Sequence, residues 1–193
     1  MDEITSGVAG SHAVAGQNTI MWWALSAPYC RELRAKRELE QAGMECFVPM
    51  RYRVVERRGG IKTRELQPAI RNLVFARATA ADMRRVKRLI SIIQYLTRPE
   101  EGRNIPITVP ENEMRRFMAV CEADTEHSIY LRPDEVDLRR GTRVRIIGGP
   151  LDGVEGWFVK VKGVRDRRVV VMVGDVAAVA TAEVRPDLLE ILK

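Results

Sequence analysis

The chain predicts an α+β fold in two parts: an N-terminal α/β sandwich of helices on an antiparallel-rich sheet, followed by a small five-stranded β-barrel. Three observations carry this. Through residues 20–121 the apolar period switches back and forth between 2 and 3.6. From Gly141 onward the chain breaks into short β-rich runs separated by turn residues. Between them lies an acidic, polar, unpatterned stretch of linker character. With 193 residues and 46% hydrophobic content, the chain is long enough for two small cores. The predicted units are a flexible leader at 1–19, the sandwich at 20–121, a linker at 122–138 and the barrel at 139–193.

Residues 1–19 are rich in Gly, Ser and Ala and carry no period. Met21 to Ser26 is an apolar run closed by Pro28 and reads as a central strand. Cys30 to Ala42 is full of helix formers, with Ala35, Leu39 and Ala42 on one stripe and Gly43 as the stop; Leu33 falls off that stripe. The period then becomes two, from Met44 through Val54, and Gly59-Gly60 between alternating runs predicts a hairpin returning along Ile61 to Leu66. Asn72 to Ala78 is a further strand. Thr79 and Asp82 cap a helix bearing Met83, Val86 and Ile90, and Ile92 to Leu96 closes the sheet.

Pro99 to Pro110 holds three prolines and reads as a loop, and Glu111 to Cys121 as a short helix with Met114, Phe117, Met118 and Cys121 on one side. The barrel strands are Val144 to Ile147, Val154 to Val161, Val169 to Val173 and two short runs ending at Leu192. Its turn glycines are Gly148, Gly149, Gly153 and Gly156.

The net charge of +6, from 32 Lys and Arg against 26 Asp and Glu, is unevenly spread. Residues 20–110 hold 18 basic and 9 acidic side chains, whereas 111–193 hold 14 and 15. Any polyanion contact is therefore expected on the first unit. Cys30, Cys46 and Cys121 form no CxxC pair and read as small core residues in a reducing compartment. Asp2 and Glu3 stand where a secretory signal carries positive charge, and no apolar run reaches membrane-spanning length, so a cytoplasmic protein without membrane contact is expected. His12 and His127 have no nucleophile or carboxylate at a useful spacing, and ligand types do not cluster; no enzyme activity, metal or cofactor is expected.

Two patterns could serve a partner. Period-two geometry puts Leu73 and Phe75 on one face of their strand with Arg71 and Arg77 at its ends, a face that reads either as core or as part of an apolar patch rimmed by charge. Arg84, Arg85, Lys87 and Arg88, supported by Arg31 and Arg34 on the first helix, read either as a solvated surface or as a contact to phosphates or an acidic surface. Few aromatics accompany them, so base stacking is not indicated.

Taken in order, Trp22-Trp23-Ala24-Leu25, Glu38 to Gly43, Glu45-Cys46-Phe47-Val48-Pro49, the Gly-Gly hairpin and Asn72-Leu73-Val74-Phe75-Ala76 resemble the NGN domain of the NusG/Spt5 transcription elongation factors. Gly141 to Gly156 resembles that family's KOW motif. Ile107-Thr108-Val109-Pro110 before a short helix is similar to the specialised UpxY- and RfaH-type antiterminators. The resemblance implies an NGN-like domain at 20–121 and a KOW-like, SH3-like barrel at 139–193. It implies docking on the clamp helices of the largest RNA polymerase subunit through an apolar surface including Ile70, Leu73, Phe75, Met114 and Phe117, by a monomer that promotes processive transcription of specific operons, such as those for capsular polysaccharide.

Upstream or non-template DNA is an implied partner, with leader RNA as another. Arg34 alone matches the basic positions with which RfaH-type members meet non-template DNA; Pro28, Glu38 and Gln41 occupy the others. The stretch 174–179 lacks the aromatic by which housekeeping members recruit Rho, so Rho binding is expected to be weak. The rival reading is a KOW-type RNA- or ribosome-associated protein that binds nucleic acid directly.

Overall fold

The computed structural model describes residues 19–181 and 184–192, so most of the predicted leader, with His12, lies outside the described residues. β1 (Met21–Ser26) is the centre of the first sheet, and its run of four buried residues is what a strand covered on both faces requires. α1 (Glu32–Gln41) follows, starting two residues later than expected. β2 (Glu45–Phe47) leads into β3 (Met50–Arg57) and β4 (Ile61–Pro68), which pair antiparallel around Gly59-Gly60 as the hairpin signal predicts. β5 (Leu73–Ala78) pairs with β1 and β2, and α2 (Ala80–Leu89) opens on Thr79, whose hydroxyl accepts from the Asp82 N–H at 3.1 Å.

β6 (Gln94–Tyr95) is shorter than the predicted 92–96 strand, because Ile92 and Ile93 are drawn into the core beneath the helices. The three-proline stretch, expected to be a loop, instead contains a hairpin, β7 (Thr97–Glu100) with β8 (Arg103–Pro106), and then β9 (Thr108–Val109) on β1. Pro99 and Pro106 are tolerated because a two-stranded ribbon leaves one side of each strand without a neighbour. α3 (Glu111–Ala123) runs two residues beyond its predicted end. The first sheet is ordered β2-β5-β1-β6, with β9 also on β1.

The second sheet has six strands, ordered β10-β14-β13-β12-β11-β15, all antiparallel. They are β10 (Ile129–Leu131), β11 (Thr142–Ile146), β12 (Glu155–Lys160), β13 (Arg167–Val173), β14 (Ala177–Ala180) and β15 (Leu189–Ile191). β10 comes from the stretch expected to be a linker. Its three residues are too few to register as a period among acidic neighbours, and their pairing with Leu131↔Ala178 and Ile129↔Ala180 makes them a strand.

Gly156 is corrected: it is not a turn residue but sits buried inside β12 opposite Val144, where a Cβ would lie 2.7 Å from the Val170 carbonyl oxygen. Gly148, Gly149 and Gly153 do form the β11–β12 turn. Cys30 is corrected too. It is exposed in a left-handed turn after Pro28, whereas Cys121 is buried and Cys46 half-buried; burial pushes both of those thiols up to about 12.

The period-two division of β5 holds at the level of packing. Val74, Ala76 and Ala78 join Leu39 of α1 and Met83 and Val86 of α2 in one cluster, with Trp23 and Leu25 of β1. Leu73 and Phe75 join Trp22 and Ala24, Met114 and Phe117 of α3, and Val169, Val171 and Val173 of β13 in another. A third, smaller cluster around Val159, Val170 and Ala178 lies within the second sheet.

Candidate functional site

The five residues of the predicted apolar docking surface come together. Phe75 and Phe117 stack edge to face with ring centroids 5.9 Å apart, and Phe117 meets Phe47 similarly at 6.2 Å. Leu73, Phe75, Met114 and Phe117 are buried, with Leu73 the most accessible of the four at 2%, and half-buried Ile70 packs against their cluster. What covers them is the chain itself. α3 lies across the β1/β5 face and packs on its far side against β13 and β14 of the second sheet.

The rim of this interface is polar. Arg116 of α3 reaches Glu155 of β12 at 2.8 Å, and Arg98 of β7 reaches Asp175 at 3.4 Å. The Gly174 N–H donates to Glu113 at 3.2 Å, and the Tyr130 hydroxyl donates to the Met50 carbonyl at 3.2 Å. Gly174 has φ +50°, and a Cβ there would lie 3.4 Å from Val109 and 3.7 Å from Ile107. Thus the 174–179 stretch, in which the sequence lacks an aromatic, begins at this interface.

Glu155 is the hub of the rim. The Arg145 guanidinium is hydrogen-bonded to it, and with Arg116 and Arg143 beside it this holds the carboxyl below the ordinary carboxylate range. A similar knot lies at the start of α3. The Trp22 indole N–H and the Arg77 guanidinium both donate to Glu111, at 3.1 and 3.0 Å, and chiefly Arg77 lowers the Glu111 pKa. Sequence reading missed both knots, since their members are far apart along the chain.

The cationic residues occupy the opposite side of the first sheet. α1 and α2 cover one face together, so their outward residues point the same way. Arg31, Arg34, Arg84, Arg85 and Arg88 are exposed and Lys87 half-buried. Arg34 is paired with Glu38 at 2.7 Å and Arg85 with Asp82 at 3.2 Å, while Arg31 stacks over Tyr29 at 5.2 Å. Arg84, Lys87 and Arg88 make no ion pair among the described residues.

A third cationic region lies outside the predicted contact residues. The β3–β4 ribbon carries Arg51, Arg53, Arg57, Arg58, Lys62 and Arg64 against Glu56 and Glu65. The signal was present as basic residues interleaved with Tyr52 and Val54.

His127 lies within 2.9 Å of Asp124, but Asp124 also accepts from the backbone N–H groups of Glu126 and His127, so the pair closes a turn after α3. Among the described residues no group of three metal-ligating side chains converges, and no helix is long and apolar enough to cross a membrane.

No curated protein matches the sequence. The structure is similar to one described as "Domain interaction in Thermotoga maritima NusG", with TM-score 0.45 and 17% identity over 91% of this chain and 98% of that one. The family model described as "Transcription termination factor nusG" matches residues 21–118, from the first residue of β1 into α3, and the chain belongs to the NusG family.

Proposed function

We propose that the protein is a transcription elongation factor of the antiterminating, operon-specific kind. It docks on the clamp helices of RNA polymerase through the surface made by Ile70, Leu73, Phe75, Met114 and Phe117, and it works as a monomer in the cytoplasm. Residues 20–121 act as the NGN-like domain and 139–193 as the KOW-like barrel. The observation that carries the reading is the convergence of Leu73 and Phe75 of β5 and Met114 and Phe117 of α3 in one apolar cluster, with Ile70 from the turn before β5 packed against it. Once uncovered, a face that apolar is the kind that partners use.

In the closed arrangement Leu73 and Phe75 lie under α3, and α3 lies under β13 and β14, so docking requires the second sheet to lift and α3 to yield. The apparent affinity for polymerase is then the intrinsic affinity scaled by the open fraction. The partly exposed ion pairs of the rim contribute about 1 kcal/mol or less each, so the apolar contact of α3 with β13 and β14 is the main cost of lifting. The exposed cations of α1 and α2 would meet upstream or non-template DNA on the other side, and leader RNA offers the same phosphates. With 174–179 engaged at the interface and free of aromatics, Rho binding is weak.

Retention of the full chain on core polymerase tests the reading. Arg116→Glu, which breaks the ion pair to Glu155 and sets two carboxylates against each other, should raise retention several-fold over the wild type. If neither protein is retained under conditions that hold a general family member, the reading fails. The rival, direct nucleic-acid binding by an RNA- or ribosome-associated protein, is favoured by the exposure of Arg84 and Arg88, and predicts salt-dependent RNA binding that Arg116→Glu leaves unchanged.

A further inference from the structure

We propose that the β3–β4 ribbon is a duplex-DNA-binding arm that enters a groove and contacts phosphates on both walls. The two strands pair with each other and with no other strand among the described residues, and each is eight residues long. At about 3.3 Å per residue the ribbon extends roughly 26 Å, and a two-stranded ribbon fits the major groove, about 12 Å wide.

The placement of charge decides what kind of partner suits it. Register pairs Arg53 with Glu65 and Arg57 with Ile61 on one face, and Glu56 with Lys62 and Val54 with Arg64 on the other; Arg58 stands at the turn. Cations therefore lie on both faces and at the tip. A flat acidic protein surface would meet one face and leave the other cations in water, whereas the two walls of a groove meet both.

Not all of these charges are neutralised internally. Arg57 pairs with Glu65, and Arg64 pairs with Glu126 while stacking on Tyr52 at 4.2 Å. Arg53, Arg58 and Lys62 are exposed and make no ion pair among the described residues. Between them stand Val54 at 68% and Ile61 at 63% exposure, apolar groups suited to sugar and base-edge contact in a groove. The Tyr52 N–H donates to the Thr125 carbonyl at 3.2 Å, which anchors the base of the arm and leaves its far half projecting.

This inference does not depend on polymerase docking, and its test contains no polymerase. The full chain is titrated into a labelled 30-base-pair duplex of mixed sequence at several salt concentrations, with fluorescence anisotropy as readout. Arg53→Gln, Arg58→Gln and Lys62→Gln combined should weaken binding about tenfold or more at 0.1 M salt. They should also flatten the log-log salt slope by roughly 2 to 3, since each neutralised phosphate contributes about 0.9. The charge-keeping set Arg53→Lys and Arg58→Lys should retain the wild-type slope, which separates lost charge from a damaged ribbon. The proposal is overturned if the wild type does not bind the duplex, or if the Gln variant matches it in affinity and slope. Loss confined to Arg84→Gln and Arg88→Gln on α2, or an equal slope change on single-stranded DNA of the same sequence, also overturns it.

Discussion

The two faces of the first sheet are built from the same strands and are covered in different ways. One face, with Trp23, Leu25, Val74 and Ala76, lies under α1 and α2, helices that follow β1 and β5 directly in the chain. The other, with Trp22, Ala24, Leu73 and Phe75, lies under α3 and then under strands roughly a hundred residues away in sequence. Both covers exclude water from large apolar side chains. The first is tied down by short connections, while the second also rests on a rim of ion pairs and hydrogen bonds that salt, pH or a competing surface can weaken. The first cover is fixed by the chain's own connections, and the second is the one whose edge responds to solution conditions.

The largest effect expected from this comparison comes from the rings in the second cover. Phe117→Ala removes a fully buried ring that meets both Phe75 and Phe47, and should cost about 3–5 kcal/mol in urea unfolding. Met83→Ala, under the fixed cover, should cost about 2–5 kcal/mol and leave the contact between α3 and the second sheet unchanged by hydrogen exchange. Equal loosening of that contact by both variants would erase the distinction.

Gly174→Ala comes next. It forces a side chain into a left-handed turn against Val109, at about 1–2 kcal/mol, and should open the interface selectively as measured by protection of the α3 amides. Arg116→Ala should destabilise by about 1 kcal/mol at low salt and less at high salt.

The smallest and most specific effect is on acid stability. Because the Glu155 pKa is depressed on folding, its contribution is complete above the ordinary value of 4.5 and is lost as pH falls through the lowered one. Glu155→Gln should therefore flatten the pH dependence of stability below 4.5 while leaving stability insensitive to pH changes near neutrality.

Much of the fold was legible because local rules carried it. The Thr79 cap, the Gly59-Gly60 hairpin and the division of β5 into two faces each depend on residues within a few positions of one another. The β7–β8 hairpin was hidden by prolines that usually exclude strands, and β10 by its length. At the candidate site, the residue set on β5, the turn before it and α3 was named from a resemblance together with alternation. Its burial beneath β13 and β14 was not, because a valine alternating along β13 looks the same whether its neighbour is its own sheet or α3.

The amino-acid sequence by itself determined which side chains are apolar, which strand faces they share, and that positive charge belongs to the first half. Those follow from backbone periodicity and composition. Tertiary structure alone decided that the Leu73 and Phe75 face is covered by its own chain, that Arg116 meets Glu155, and that the cations of β3 and β4 project on both sides of a free-standing ribbon. Each depends on how elements far apart in sequence pack together, and such packing is selected by shape and area summed over the whole molecule.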